Sequence, residues 1–451
     1  MTKTLRVNSD RMLDSFNRLA LIGATGDGGV NRPSLTEAHL AARKWYRAEI
    51  ERVGLDFRTD GAGNHSAFLA LSGASFDYGL RNERSALRSG RNDDYEESEV
   101  EAPTTKEEIA SQQSLAMTLI LGSHLDSVPH GGRFDGALGV VAALEVLRTV
   151  KENGIKLNVN LEAMDFTDEE GTLVGLLGSA AISGHLTQKD LQSPRGGRDN
   201  LVEGMKRAGL SDESMLSAAR PKESFAGYLE LHIEQGKRLE RAGINIGVVS
   251  AIVGIGSYRL TFIGRADHAG TATMDDRLDA SLGASAFTLA ARELVMKDFA
   301  GCVVNVGKMD FAPGAFNIVP ARVDVALEFR SPTQTDFDKM DSALIALAKE
   351  QAARFGLELK IEFLGKHSPT PMSDIAQNAF ASACGDLGLT HTPLTSGAGH
   401  DAQSLADVCP VGMIFVPSVD GASHSPREFT QWDDCVNGAN VLLHAALKIA
   451  G

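Results

Sequence analysis

Apolar runs that end in polar, glycine-containing loops recur along the first half of the chain. The run "LAMTLIL" precedes "GSHLDSVPHGGRFDG", and "KLNVNLEAMDF" precedes "TDEEG". Between the two apolar runs, "DGALGVVAALEVLRTV" places small and aliphatic residues at helical spacing. Strands that alternate with helices are typical of a parallel α/β sheet. The pattern therefore predicts such a sheet in residues 1–247, to which the run "AGYLELHI" contributes a further strand.

The pattern changes between residues 248 and 365. Strand-like "SYRLTFIGRA" is followed by helix-like "DRLDASLGASAFTLAARELVM", two strands, a second helix and a last strand, "LELKIEFLG". This β-α-β-β-α-β order is that of a ferredoxin-like unit. After it, "VGMIFVP" and a helix from about Trp432 return to the first pattern. We therefore expect one discontinuous domain, residues 1–247 and 366–451, with residues 248–365 inserted as a second domain.

Residues 73–113 do not fit either pattern. They are charged, poor in aliphatic side chains and acidic toward their end. Such a segment buries too little apolar surface to offset its ordering entropy. It is predicted to be a mobile acidic insertion at the surface, with a regulatory or interface arm as the alternative.

Charge and composition limit the partners. The formal net charge of −15 argues against nucleic acid and anionic membranes as main partners. The four cysteines are far apart and contain no CxxC pair, so reduced core thiols are expected. The N-terminal segment lacks a continuous apolar run and is typical of an amphipathic helix rather than a signal peptide. We therefore expect a cytoplasmic protein that does not bind membranes.

Four clusters of ligand-type side chains directly follow apolar strands. They are His124, Asp126 and Asp135; Asp168, Glu169 and Glu170; Glu230, His232, Glu234 and Gln235; and His424 with Glu428. Each cluster alone is compatible with an ordinary polar loop. Sites in open α/β sheets gather at the carboxyl ends of strands, so the four clusters are expected to converge. Imidazole and carboxylate ligands suit zinc and similar ions, and one carboxylate can bridge two of them.

The chain resembles a family of metal-dependent amidohydrolases, which includes N-carbamoyl-L-amino acid hydrolase, β-ureidopropionase and allantoate amidohydrolase. The resemblance covers nearly the whole chain and depends on "GSHLDSVPHGGRFDGALGV", "ELHIEQG", "DHAGTATMDDRLDA", "GAFNIVPARVDVALEFR", "SGAGHDA" and "SHSPREF". It implies a di-metal, peptidase-like catalytic domain with an inserted lid and dimerisation domain, and therefore a homodimer.

The resemblance also implies two metal sites. His124, Asp135 and His232 would hold one ion, and Asp135, Glu170 and His424 would hold the other. Asp126 would not bind a metal itself but would contact His124, orient its ring and fix its tautomer. Glu169 would be the general base, taking a proton from water that the metal has made more acidic. Zinc is the expected ion, with manganese or cobalt as alternatives.

Further residues are implied to bind the substrate. His268 resembles the family's oxyanion-stabilising histidine, which reaches the active site of the neighbouring subunit. Asn317 and Arg330 resemble the pair that grips a substrate carboxylate, a task suited to the planar fork of arginine. Gln235, Arg277 and His400 would complete the pocket. The resemblance assigns no role to His130.

The implied reaction is hydrolysis of a C–N bond other than a peptide bond. An N-carbamoyl amino acid, α or β, would be cleaved at its ureido group to amino acid, ammonia and carbon dioxide. Allantoate is an alternative substrate, and an aminoacylase or dipeptidase is an alternative enzyme. A non-catalytic metal-binding protein is the alternative from another class, but it predicts loss of the base or of a ligand.

Overall fold

The protein was analysed as a computed structural model that describes residues 5–70 and 117–451. The acidic insertion predicted at 73–113 lies outside the described residues. The chain divides into two compact units. Unit 1 comprises Met1–Val248, Asp374–Thr392 and Asp407–Gly451, and unit 2 comprises Val249–Ser373 and Pro393–Ala406. The hydrophobic pattern alone does not distinguish Pro393–Ala406 from the segments on either side of it.

A mixed sheet forms the centre of unit 1. Its strands are β1 (Asp56–Thr59), β2 (His65–Leu69), β3 (Thr118–His124), β4 (Asn160–Phe166), β5 (Phe225–Ile233), β6 (Ile246–Ile252) and β13 (Val411–Val416). Their order is β1-β2-β4-β3-β5-β13-β6, and β6 runs across the boundary at Val248 into unit 2. The four central strands are mutually parallel, whereas β1, β2 and β6 pair antiparallel with their neighbours. The α/β class is confirmed, and the antiparallel flanks are an addition to the predicted parallel sheet.

Helices of unit 1 pack around this sheet. They are α1 (Ser9–Ala20), α2 (Glu37–Arg52), α3 (Ala137–Glu152), α4 (Leu177–Ser183), α5 (Gln188–Gln192), α6 (Arg198–Ala208), α7 (Asp212–Leu216), α8 (Arg238–Ala242), α11 (Asp374–Leu387) and α13 (Trp432–Ala450). Single 3₁₀ turns cover Lys222–Ser224 and Val419–Gly421. Helix α3 is buried from Ala137 to Val150, so its apolar surface fills the core on nearly every side.

The loop before α3 ends at Gly136, which has a φ of +60°. A Cβ atom there would lie 2.4 Å from the ring of His124. Only glycine therefore allows this turn and the close approach of the histidine.

Unit 2 contains the predicted β-α-β-β-α-β arrangement, which is confirmed. Its elements are β7 (Gly254–Ile263), α9 (Ala280–Asp298), β8 (Val303–Ala312), β9 (Arg322–Ser331), α10 (Gln334–Arg354) and β10 (Glu358–His367). The antiparallel strands are ordered β10-β7-β9-β8, and both helices share the apolar core of the sheet. Short elements β11 (Thr370–Pro371), β12 (His391–Ser396) and α12 (Asp401–Leu405) follow. Strands β11 and β12 both pair with β6, and β12 begins in the last residues of the segment Asp374–Thr392 of unit 1. In the part of the chain that the structure describes, no helix has the length and apolar character needed to cross a membrane.

A buried ion pair joins α2 to the end of β4. Arg43, 1% exposed, places its Nε 2.8 Å from Asp165 Oδ2 and donates from Nη2 to Thr167 Oγ1. The other oxygen of Asp165 accepts the backbone N–H of Leu125, just after β3. The pair therefore fixes the two loops that follow β3 and β4.

Replacing Arg43 with Met should destabilise unit 1 by about 3–5 kcal/mol, because Asp165 would remain buried without its cation. Both tryptophans of the chain, Trp45 and Trp432, lie in unit 1. Urea unfolding followed by tryptophan fluorescence therefore reports on this unit.

A control variant on the same helix is Arg47→Met. Arg47 forms an exposed ion pair with Glu51, which is expected to contribute less than about 1 kcal/mol. Equal unfolding midpoints for the variants at Arg43 and Arg47 would contradict the role of the buried pair.

Candidate metal centre

The four parallel strands bring their following loops to one edge of the sheet in unit 1. His124, the last residue of β3, is the parallel partner of Phe166, the last residue of β4. His232 on β5 is the parallel partner of Phe415 on β13. Loops that are distant in sequence therefore start at similar levels, as expected for a site at the carboxyl ends of strands.

Asp135 lies at the centre of these loops. Its Oδ1 is 3.1 Å from His232 Nε2 and 3.4 Å from His124 Nε2. Its Oδ2 is 3.4 Å from His424 Nε2, which is in turn 3.5 Å from Glu170 Oε2. Two groups of potential metal ligands, each with its atoms within 4.8 Å of one another, thus share Asp135. Each oxygen of the shared carboxylate faces a different group.

Backbone carbonyls determine which nitrogen of each buried histidine is protonated. His124 Nδ1 is 3.0 Å from the carbonyl oxygen of Asp126, and His232 Nδ1 is 3.0 Å from that of Ile233. Because a carbonyl only accepts, Nδ1 carries the donated proton, and in the neutral ring the lone pair is on Nε2.

His124 Nε2 is buried and makes no hydrogen bond. A buried polar atom in this state needs an explanation, and a divalent cation between imidazole and carboxylate atoms supplies one. The residues present therefore fit a metal site.

The carboxylate of Asp126 positions the neighbouring loop. It accepts the backbone N–H groups of Glu169 and Glu170, each at 3.3 Å. The nearer of its oxygens is 3.7 Å from His124 Nδ1, so the ring is held by the backbone carbonyl of Asp126. This residue thus contacts both the histidine and the two glutamates.

The electrostatics of the centre are dominated by carboxylates. Burial raises the pKa of Asp126 to about 8. The hydrogen bond with Asp135 raises the pKa of His424 to about 9. Burial lowers the pKa of His124, but the charges of Glu169 and Asp135 outweigh it and raise that pKa well above its usual value. The surroundings therefore favour added positive charge.

Glu169 and Gln235 lie beside the two groups. Glu169 Oε2 is 3.4 Å from His124 Nε2, and its side chain is 8% exposed. Gln235 Nε2 donates to Asp135 Oδ2 at 2.8 Å and to Ser423 Oγ at 3.1 Å. The structure thus places Gln235, which is predicted to bind substrate, in contact with the shared carboxylate.

Both Glu428 and Ser423 lie in "SHSPREF". The sequence places Glu428 in a ligand-type cluster but assigns it no metal or catalytic role, and it does not single out Ser423. Glu428 Oε1 accepts the backbone N–H groups of Phe134 and Asp135 at 2.8 and 3.0 Å. Ser423 Oγ is 3.0 Å from Glu428 Oε2 and 3.2 Å from Asp135 Oδ2. The sequence signal was the membership of Glu428 in the same cluster as the predicted ligand His424; nothing in the sequence indicated its contact with the backbone of Asp135.

Asp168 organises the loop that follows the glutamates. Its carboxylate accepts the backbone N–H groups of Leu173, Val174 and Gly175 at 2.6–3.0 Å. Its own φ is +58°, a left-handed conformation that costs free energy outside glycine. Of the three acids in "DEE", the first therefore stabilises the loop on which the other two lie.

Two other residues of the sequence clusters make contacts outside these two ligand groups, and His130, to which the resemblance assigns no role, lies at the surface. Glu230 accepts the hydroxyl of Ser123 at 2.8 Å within the core. Glu234 accepts backbone N–H groups at the start of α8. His130 is exposed, with a φ of +53°.

Unit 2 brings three of the predicted substrate residues onto one loop cluster. His268 and Ile318 form a β-bridge, and the N–H of Ala269 donates to the carbonyl of Asn317. Arg277 Nη2 donates to the carbonyl of Ala269 at 2.6 Å. His268 Nδ1 accepts the N–H of Gly270 at 3.1 Å, which leaves its Nε2 as the donor.

The other two predicted substrate residues form a second cluster in unit 2. Arg330 pairs with Glu328 at 2.7 Å and donates to the carbonyl of Gly397. His400 is buried, with Nε2 2.9 Å from Ser396 Oγ. The loop 396–400 thus brings His400 and Arg330 into one neighbourhood.

The model of peptidase family M20/M25/M40 matches residues 120–448 of this chain. N-carbamoyl-L-amino acid amidohydrolase from Geobacillus stearothermophilus is 34% identical over 446 residues, which cover 98% of this chain and 99% of the relative. Allantoate amidohydrolase from Bacillus subtilis (strain 168) is 30% identical over 442 residues, or 97% of each chain. The solved structure of an amidase of the hydantoinase/carbamoylase family from Burkholderia multivorans aligns with a TM-score of 0.83 and 31% identity, covering 99% of both chains.

Substitutions at the shared and unshared carboxylates should differ in the amount of bound divalent metal. Asp135→Asn removes charge from both groups and should weaken binding at both, at least about tenfold. Glu170→Gln removes a ligand from one group and should mainly affect that group. Elemental mass spectrometry after equilibration at limiting free zinc measures the ratio of bound zinc to protein.

Glu162→Gln is the control. Glu162 is also a buried glutamate, but it pairs with Arg220 and belongs to neither ligand group. Unchanged metal content in Asp135→Asn would contradict the sharing of this carboxylate.

Proposed function

Because the chain belongs to peptidase family M20/M25/M40, we propose that it is a metal-dependent amidohydrolase that cleaves the ureido C–N bond of an N-carbamoyl amino acid. The observation that carries the proposal is the pair of ligand groups that share Asp135, with Glu169 beside them. A full-length relative at 34% identity bears the name N-carbamoyl-L-amino acid amidohydrolase. The substrate class follows from that relative, and the chemistry follows from the centre.

Two divalent ions are part of the proposal. His124, Asp135 and His232 would hold one, and Asp135, Glu170 and His424 would hold the other. Zinc suits these nitrogen and carboxylate donors, and manganese and cobalt are the alternatives. Such ions, when bound, supply Lewis acidity toward a carbonyl oxygen and toward water.

Glu169 is assigned the role of general base. It accepts a proton from the attacking water as the new C–O bond forms at the ureido carbon. The same proton then passes to the nitrogen of the breaking C–N bond. Breaking this bond releases one of the two nitrogens and leaves the carbonyl carbon as a carbamic acid on the other. The remaining C–N bond then breaks without a further water, so that one water is consumed in total and the products are the amino acid, ammonia and carbon dioxide.

Residues of unit 2 are assigned to the substrate. His268, with Nε2 available as a donor, would stabilise the developing negative charge on the carbonyl oxygen in the neighbouring subunit. Asn317 and Arg330 would bind the substrate carboxylate, Arg330 by exchanging its contact with Glu328. Gln235, Arg277 and His400 are assigned further contacts with the substrate.

Allantoate is the second candidate substrate. The relative from Bacillus subtilis named allantoate amidohydrolase covers 97% of this chain at 30% identity. Allantoate also offers a ureido group and a carboxylate, so the same residues would serve. The non-catalytic alternative is disfavoured because Glu169 and all five proposed ligands are present.

A homodimer is also proposed, formed through one face of unit 2. Helix α9 exposes Leu282, Leu289 and Met296, spaced seven residues apart, at 43%, 68% and 68%. Strand β8 is at the end of its sheet and exposes Val303 and Phe311. An unpaired edge beside an apolar helix face is suited to pairing with a second copy.

The wild-type enzyme, loaded with zinc, should release ammonia from an N-carbamoyl-α-amino acid, N-carbamoyl-β-alanine or allantoate. Glu169→Gln should retain metal but lower kcat by roughly 10²–10⁴, because proton transfer by the carboxylate is lost. Ammonia release and metal content measured on the same samples check both statements.

Two results would contradict the proposal. Near-normal turnover in Glu169→Gln would remove the base assignment. Metal-loaded wild-type protein that releases ammonia from none of the three compounds would favour the non-catalytic alternative. Glu234→Gln is the matched control, since this glutamate contacts backbone N–H groups of α8 and should retain activity.

A double variant, Leu289→Glu with Met296→Glu, should convert a dimer to a monomer, because four added charges would have to be buried at the interface of two copies. Light scattering after size-exclusion chromatography measures the mass. Leu21→Glu is the control, because Leu21 is 76% exposed on unit 1. A dimer that persists in the double variant would exclude this face.

A further inference from the structure

Glu428 is a buried carboxylate that the proposed reaction does not use. It is 4% exposed, and its Oε1 accepts two consecutive backbone N–H groups, those of Phe134 and Asp135. These N–H groups lie at the end of the loop that places Asp135. Glu428 therefore holds the backbone of the shared ligand from outside that loop, across 293 positions of the chain.

The second oxygen of Glu428 extends the contact to the side chain of Asp135. Ser423 Oγ lies 3.0 Å from Glu428 Oε2 and 3.2 Å from Asp135 Oδ2. A serine hydroxyl has one proton, so it donates to one of these carboxylates at a time. Gln235 Nε2 donates to both Ser423 Oγ and Asp135 Oδ2. Backbone and side chain of Asp135 are thus constrained by one connected network.

The space for Glu428 depends on a missing side chain. A Cβ atom on Gly132 would lie 2.0 Å from the carboxyl carbon of Glu428. Gly132 has no left-handed φ to explain it, so close packing against Glu428 is the physical requirement for glycine here. The loop and the carboxylate are therefore fitted to each other.

We propose that Glu428 is a positioning residue whose contacts set the orientation of Asp135 and thereby the metal affinity of both ligand groups. The reason is geometric. The two oxygens of Asp135 face different groups, so a rotation or shift of this carboxylate misaligns both groups at once. Contacts behind metal ligands commonly change metal affinity when they are removed. The inference rests on the proposed metal centre but does not depend on the identity of the substrate.

The test is zinc binding by metal-stripped, full-length protein in competition with a chelator. In Glu428→Ala, both binding steps should weaken by roughly 10–100-fold. Cobalt absorption in the visible range gives a second readout, and its band positions should shift as the ligand geometry changes. Glu162→Ala is the matched control, because it removes an equally buried glutamate from another part of unit 1 and should leave both affinities unchanged.

Glu428→Gln distinguishes positioning from general stabilisation of the fold. Its amide oxygen can accept the N–H groups of Phe134 and Asp135, and its amide nitrogen can donate to Ser423. The hydroxyl of Ser423 then remains available to Asp135. This variant should keep most of the metal affinity. Wild-type affinities in a folded Glu428→Ala protein would overturn the proposal.

If Glu428→Ala does not fold, Gly132→Ala provides a second test of whether Glu428 sets the metal affinity. The added methyl group displaces the carboxylate of Glu428 but retains its charge. Weakened binding at both steps supports the proposal, and wild-type binding overturns it. The wild-type titration separates this inference from the proposed function: no zinc binding overturns both, whereas zinc binding without hydrolysis of ureido compounds overturns only the substrate assignment.

Discussion

One shared carboxylate constrains the whole site in unit 1. Asp135 must present one oxygen to His124 and His232 and the other to His424. It must do so from the last turn before a helix that is buried for most of its length. The chain meets both requirements with a glycine at position 136, in a left-handed conformation and against the ring of His124. Gly136 is thus the residue that lets the chain place Asp135 beside His124 at the start of the helix.

Burying several carboxylates together costs free energy, and hydrogen bonds from backbone N–H groups offset much of it. Asp126 accepts the N–H groups of Glu169 and Glu170, and Asp168 accepts three N–H groups of the next loop. Burial nevertheless raises the pKa of Asp126, Asp168 and Glu170. The buried cation Arg43 pairs with Asp165, which belongs to neither ligand group. The negative field at the ligands is therefore left for a metal ion to neutralise.

The elements of both units could be predicted because their hydrophobic periods are regular. The β-α-β-β-α-β order and the strands that precede the ligand clusters follow from that pattern. The short antiparallel strands β1 and β2 carry too few residues for a clear alternation.

The ligand clusters were recognisable because their polar residues directly follow strands. The hydrogen bonds that hold these ligands in position could not be recognised from the sequence. The N–H groups of Phe134 and Asp135 meet Glu428 only after the chain has folded, and no local pattern reports such a pairing. Gln235 likewise could be assigned to the site but not to its partner, Asp135.

The candidate substrate residues differ physically from the candidate metal ligands. Asp135 and its neighbours are buried and held by several hydrogen bonds, so their geometry is costly to change. Arg330 is 34% exposed and pairs with Glu328, a contact of the kind that contributes about 0–1 kcal/mol. His268 and Asn317 are exposed on a loop. Contacts this weak can be exchanged for a ligand at small cost. The chain thus combines a tightly held cluster of buried acids and histidines in unit 1 with weakly held, exposed polar side chains, such as His268 and Asn317, in unit 2.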